Sequence, residues 1–304
     1  MLKSLAGIMF ILMNKLTSTK RAQILAMLCE GSSMRSISRI VDVSINTVTK
    51  LLIDAGTACA AHHDQTVTAL KSKRVQVDEI WSFCYAKEKN VETAEAAPEG
   101  AGDLWTWTAI CADSKLMISW VVGDRNANVA RVFLEDVASR LSNHIQLTSD
   151  GHRSYLEAVP KAFEHVDFAQ LVKQYGEEPS NSRPERRYSP AVCKGATKTP
   201  VTGNPDADHI STSYVERQNL NIRMGMRRFT RLTNAFSKKV DNHVHALAIY
   251  FCYYNFVRIH TTLKETPAMA AGVSDRLWSV DDMVKLVEGY EERRAASKKR
   301  KTAR

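Results

Sequence analysis

Apolar positions along the chain repeat with two different periods. From Thr17 to Gly56 the spacing is helical. TSTKRAQILAMLCEG predicts a first helix, capped by Ser18 or Thr19 and closed by Gly31. In the next stretch Ile37, Ile40 and Val41 form one apolar face, and Val43-Ser44 makes a tight turn. Ser44 caps the following helix, with Val48, Leu51 and Leu52 facing inward and Gly56 as its end. Residues 57–72 read as a helix or connector. His62 and His63 are adjacent and point different ways, which suits surface residues better than metal ligands.

At Lys73 the period changes to two. In KRVQVDEIWSFCYAK, Val75, Val77, Glu79, Trp81 and Phe83 share one face, and Gln76, Asp78, Ile80, Ser82 and Cys84 the other. A polar loop over 88–103 separates this strand from two more, 104–113 and 115–124, joined at Asp113-Ser114 as an antiparallel meander. Residues 128–141 predict an amphipathic helix with Val129, Val132, Phe133, Val137 and Leu141 inward. A short buried strand, Ile145 to Ser149, ends in Asp150-Gly151, and a helix from Tyr155 to Val159 is ended or kinked by Pro160. Ser211 or Thr212 caps a helix on which Leu220 and Met224 recur at helical spacing. Phe236 to Arg258 is apolar nearly all round and should pack on the sheet, its His243 and His245 being packed or surface residues. A further helix covers Ser279 to Arg293. The expected class is a mixed α/β layer behind a small all-α unit.

The 304 residues carry a formal net charge of +9, which suits a polyanionic partner, nucleic acid first. Two helices joined by a tight turn match a helix-turn-helix, and Asn46, Thr47, Thr49 and Lys50, with the cap Ser44, form the outward polar surface for base edges and phosphates; a plain helical hairpin is the alternative. The polar stretch 170–210 is an insertion that lies against DNA, or a disordered linker. The tail RRAASKKRKTAR is read as disordered and supplies nonspecific phosphate affinity. Six cysteines without C-x-x-C spacing indicate neither a zinc knuckle nor a redox pair and suit reduced thiols in a cytosolic protein. The apolar run Leu5 to Met13 is too short to span a bilayer, so residues 1–16 are expected to be a disordered or non-native extension, with translation starting at Met13.

Three acidic positions carry the candidate chemistry. Asp78 interrupts an apolar strand, where a buried charge costs several kcal/mol unless paired or metal-bound. Asp150 follows a strand at its carboxyl end, where α/β sheets place ligands, although D-G is also a common turn pair. His152 beside it contacts substrate or is plain polar surface. Glu216, Asn219, Leu220 and Arg223 share one helical face, with Arg217, Arg227, Arg228 and Arg231 nearby; a solvated helix with ordinary ion pairs would look the same. Three carboxylates suit Mg²⁺ or Mn²⁺, and two such ions about 3.5–4 Å apart clamp the attacking and leaving oxygens of a phosphodiester displacement.

VDEIW around Asp78, TSDGHRSY around Asp150 and SYVERQN around Glu216 resemble, in order, the acidic motifs of DDE transposases and retroviral-type integrases. YNFVRIHTTLKETPAMAAG resembles the segment closing the core of bacterial insertion-sequence transposases, and the likeness is greatest to the family numbered first among them. The resemblance covers about residues 73–272 and implies an RNase H-like core with the 170–210 insertion, after a helix-turn-helix at 17–60 and before a helix and tail at 273–304. It implies Asp78, Asp150 and Glu216 as metal-binding catalytic residues, Arg223 in the place of the family's basic residue, and His260 with Arg217, Arg227 and Arg228 on DNA. It further implies binding of the element's terminal inverted repeats and target DNA, a homo-oligomer, and a cytoplasmic, nucleoid-associated place. The Asp150–Glu216 separation exceeds that of compact members, and Glu177, Glu178, Glu185, Asp206 and Asp208 lie in the gap. A DNA-binding regulator without catalysis and a structure-specific nuclease are the competing readings.

Overall fold

The computed structural model describes residues 16–176, 193–230 and 234–302. The proposed start at Met13 lies outside them. In chain order the elements are α1 (Ser18–Cys29), α2 (Met34–Val41), α3 (Ile45–Thr66), β1 (Arg74–Cys84), β2 (Gly102–Cys111), β3 (Met117–Gly123), α4 (Ala127–Ser139), β4 (Gln146–Ser149), α5 (Ser154–Ala162), β5 (Asp167–Tyr175), β6 (Cys193–Thr202), α6 (Ser213–Gly225), α7 (Val240–Cys252), α8 (Pro267–Ala270) and α9 (Val280–Thr302).

Small polar residues start the first three helices. The side chains of Thr17, Ser33 and Ser44 accept from the backbone N–H groups of Lys20, Ser36 and Asn46, so the cap of α1 is Thr17 rather than Ser18 or Thr19. Gly31 closes α1 in the left-handed region, at φ 76°. Ile40 is 69% exposed and does not join Ile37 and Val41 in the core. Gly56 does not end α3, which runs ten residues further to Thr66. A Cβ at position 56 would lie 2.4 Å from His245 Cβ and 2.6 Å from its Cα. The glycine costs the helix about 1 kcal/mol against alanine, and that cost is accepted because α3 and α7 cross at this point with no room for a side chain. The extension of α3 carries His62 and His63 inward, correcting their reading as surface residues. The His62 ring packs on Phe256 and Trp278 at 4.9 and 4.8 Å. His63 is 2% exposed, with Nε2 2.9 Å from Ile118 O. Desolvation pushes it down to about 4, so it is neutral at ordinary pH.

The sheet has six strands in the order β3-β2-β1-β4-β5-β6. β1 pairs antiparallel with β2 and parallel with β4; β2 pairs antiparallel with β3, β4 parallel with β5, and β5 antiparallel with β6. Alternation along β1 feeds two cores. Val75 and Val77 join Trp107, Phe133, Leu147 and Phe168. On the opposite face Ile80 joins Ile110 and Met117 against Val215 and Ile222 of α6 and Leu247 and Phe251 of α7. Residues 170–210 are therefore not simply an insertion. β5 and β6 form a hairpin that widens the sheet, while 177–192 lie outside the described residues. Helix α5 continues two residues past Pro160, to Ala162.

The helical unit shares its core with the sheet. Ile24, Leu52, Ala55 and Cys59 belong to the same apolar cluster as Ile249, Cys252 and Phe256 of the α7 region, and as Met283, Val284 and Val287 of α9. Helix α9 is continuous to Thr302, so the basic end of the chain continues the helix instead of forming a disordered tail. All six cysteines are unpaired. Among the described residues no helix is long and apolar enough to cross a membrane.

Candidate active site

Strand alternation turns Asp78 toward the face covered by α6. In the parallel pair, Gln76 lies opposite Thr148. Carrying that register two residues further brings Asp78 level with Asp150, just past the carboxyl end of β4. Gln76 also seats the covering helix. Its Oε1 accepts from Tyr214 N at 2.8 Å and Val215 N at 3.1 Å, which are otherwise unsatisfied donors of the first turn of α6. A strand side chain thus shares the capping with Ser211, whose Oγ accepts from Ser213 N at 3.2 Å. The Thr212 hydroxyl instead donates to Glu216 Oε1 at 2.6 Å.

Helix α6 then delivers two groups to the same place. Asn219 Nδ2 donates to Asp78 Oδ2 at 2.8 Å, and Glu79 N donates to Asp78 Oδ1 at 2.8 Å. Glu216, one turn before Asn219, faces a cleft of about 690 Å³ that Asp78, Asp150, Arg125, His152 and Lys173 also line. Desolvation is the main cause that pushes the Asp78 carboxyl up to about 7; the charges of Asp150 and Glu216 add to it, and the two hydrogen bonds oppose it. Asp150 Oδ1 accepts from His152 N at 2.9 Å, and Gln170 Nε2 on β5 holds the loop through Asp150 O at 2.9 Å and His152 O at 3.2 Å. Lys173, also on β5, makes a close ion pair with Glu216 Oε2.

A fourth acid lies below these three. Oxygens of Asp78, Glu79 and Asp150 all fall within 4.8 Å of one another, close enough to hold a metal ion. Glu79 is 8% exposed, its Oε2 is 3.2 Å from Arg125 Nη2, and its Oε1 has no hydrogen-bond partner. Burial pushes Glu79 up to about 7, against the opposing pull of the Tyr155 hydroxyl and Arg125. Arg125 lies over the Trp105 ring at 4.6 Å and reaches to 3.9 Å from Asp150 Oδ2. Sequence reasoning passed over Glu79, Arg125, Gln170 and Lys173 as site residues. The VDEIW motif held a signal for Glu79, whereas Gln170 and Lys173 sit on a strand that the pattern did not reveal.

The other candidate residues lie elsewhere. Arg223 Nη1 reaches Phe229 O at 3.5 Å, and Arg223 does not line the cleft. Leu220 and Met224 are 44% and 63% exposed; the buried face of α6 is Val215, Gln218, Asn219 and Ile222. Arg217 and Arg227 are exposed. Arg228 turns inward, to Ser237 Oγ at 2.9 Å and Met34 Sδ at 3.7 Å, and burial lowers its pKa. Arg231, Glu177, Glu178 and Glu185 lie outside the described residues. His260 is half-buried outside the cleft, with Nδ1 unpartnered; desolvation lowers its pKa, and Lys115 and Arg258 lower it further. On α3, Asn46 and Lys50 are exposed, as is the capping Ser44. Thr47 and Thr49 are partly buried, and the Thr49 hydroxyl donates to Ile45 O at 2.9 Å.

No protein-family model matches the chain, and no curated protein matches it as a relative.

Proposed function

We propose that the protein is a metal-dependent DNA strand transferase, a transposase of the DDE type. The observation that carries this reading is the meeting in one cleft of carboxylates from β1, from the end of β4 and from α6. The strand order β3-β2-β1-β4-β5, with only β2 running against its neighbours in that set, is compatible with an RNase H-like core. The helix-turn-helix reading of α1–α3 is compatible with recognition of the element's terminal repeats.

The donor set fits hard divalent ions. It is made of oxygen, it lines an open cleft, and the partners of Asp78 are neutral donors that leave this carboxylate without a cation of its own. Asp78, Asp150 and Glu216 would hold Mg²⁺ or Mn²⁺. Two such ions would supply activation of a water or 3′-hydroxyl and stabilisation of the leaving oxyanion. Asn219 and the Glu79 N–H fix the Asp78 carboxylate. Gln170 and the His152 N–H fix the Asp150 loop. Lys173 and Arg125 place positive charge on the cleft wall, where phosphate oxygens of a bound strand would lie. Joining two element ends calls for more than one copy of the chain.

The test is strand cleavage and strand transfer on DNA bearing the element's own ends, with Mg²⁺ or Mn²⁺. Asp78→Ala and Glu216→Ala should lose both activities while retaining DNA binding. Tight end binding by the wild type with no metal-dependent cleavage would replace this reading with that of a regulator.

A further inference from the structure

We propose that the basic end of α9 and the start of α3 form one composite surface for double-stranded DNA, with α9 gripping phosphates beside the recognition residues of α3. The identity of the partner rests on the functional reading above.

Helix α9 is fixed to the helical unit at three points, two of them on α1 and one on α3. Ser18 Oγ donates to Glu288 Oε1 at 3.0 Å. The Arg21 guanidinium, 5% exposed, holds Glu291 at 3.0 and 3.1 Å. Arg294 Nη1 meets Asp54 Oδ1 at 3.3 Å, while Lys50 Nζ meets the other oxygen, Oδ2, at 2.6 Å. Asp54 is 4% exposed, but the side chains of Lys50 and Arg294 are 74% and 54% exposed. One buried carboxylate therefore aims two cations, one from each helix, at the same solvent face. Between the helices runs a groove of about 530 Å³ whose lining includes Thr47, Lys50, Arg294 and Lys298.

The charge layout of α9 points the same way. Its acids, from Asp281 to Glu292, precede Arg293, Arg294, Lys298, Lys299 and Arg300. The helix dipole favours cations in a last turn only, and these begin more than two turns before Thr302. Duplex DNA docked on α3 would bring its phosphates across this stretch of α9.

The test is a salt titration of duplex binding by the full chain carrying Lys298→Ala, Lys299→Ala and Arg300→Ala, all exposed positions, beside the wild type. One duplex carries the element's end and the other a scrambled sequence. The triple variant should bind both about tenfold or more weakly, with log affinity against log salt shallower by about 0.9 for each lost phosphate contact. Lys298→Arg with Lys299→Arg should restore both quantities, and the melting temperature should not move. Equal affinity and slope in variant and wild type would overturn the proposal. Tighter binding by the variant would overturn it too, showing that α9 covers the surface. A wild type that binds neither duplex would remove the functional reading itself, and this surface with it.

Discussion

Two aspartates, Asp54 and Asp78, divide the molecule by how their charge is met. Asp54, a buried residue of α3, receives Lys50 on one oxygen and Arg294 on the other. Asp78, in the middle of β1, receives two neutral N–H donors and faces the carboxylates of Asp150 and Glu216. The first arrangement is complete. It ties two helices together and leaves nothing to be added. The second gathers like charge in a cleft, where a pair about 4 Å apart repels by roughly 4 kcal/mol at an effective dielectric constant of 20. A fold keeps such a group only with a proton or a cation to offset it. That difference, rather than the presence of acids, separates a structural joint from a candidate metal centre.

The widest test of this contrast asks which glutamate completes the cluster. Glu79 has an oxygen within 4.8 Å of both aspartates but is buried and engaged by Arg125, while Glu216, paired with Lys173, opens on the cleft. Glu216→Gln should lower metal-dependent strand cleavage by about 10³-fold, the scale of losing one preorganised electrostatic group. Glu79→Gln should lower it by about 10–100-fold, as for an outer residue that orients the groups around it. Steady cleavage rates on the same DNA would decide, and the reverse order would move the third ligand to Glu79.

A smaller effect is expected at Asn219, which fixes Asp78 without facing the ion. Asn219→Ala should weaken Mn²⁺ binding by about 10–100-fold. The readout is the metal concentration that protects the protein against thermal unfolding. Unchanged protection would mean that Asp78 holds its orientation without the amide.

The parts of this contrast that were legible in sequence are those written in local periodicity. The alternation of RVQVDEIW placed Asp78 against the apolar trend of its strand, and the apolar run into Ser149 placed Asp150 at a strand end. The hairpin was not legible, because β6 is exposed along nearly all of CKGATKTPVT and so carries no inward-facing alternation. Lys173 was lost with it. Gly56 read as a stop because local chemistry cannot reveal that His245 will lie against it. The end of α9 read as disordered because the contact that anchors it, Arg21 to Glu291, spans 270 positions. Glu79 looked like one residue of an apolar face until Arg125, 46 positions away, was seen to hold it.

The finest test sets the two aspartate sites against each other by sign. Asp54→Asn should cost about 1 kcal/mol, because its partners are exposed cations that water resolvates. Asp150→Asn in metal-free protein should do the opposite, stabilising by about 1 kcal/mol, because the like charge facing Asp78 that it removes outweighs the lost contact with Arg125 at 3.9 Å, and the oxygen that accepts from His152 N is kept. The pH dependence follows from Asp78 and Glu79, both pushed up to about 7 in the folded chain in part by the charge of Asp150, against about 3.9 and 4.3 unfolded. Between those values the folded state holds more protons than the unfolded one, so rising pH removes stability across that window and levels off above about 7. The advantage of Asp150→Asn should therefore be absent near pH 4, grow toward pH 7 and hold at pH 8. Thermal melts in chelator would show it as a shift of about 2–4 °C. Saturating Mg²⁺ should reverse the ranking, stabilising the wild type by about 2.7 kcal/mol at a hundred times its dissociation constant and the variant by much less. An Asp150→Asn protein that is less stable than wild type at pH 8 without metal would mean that the cleft carboxylates are already compensated, and Asp78 would then be a second Asp54.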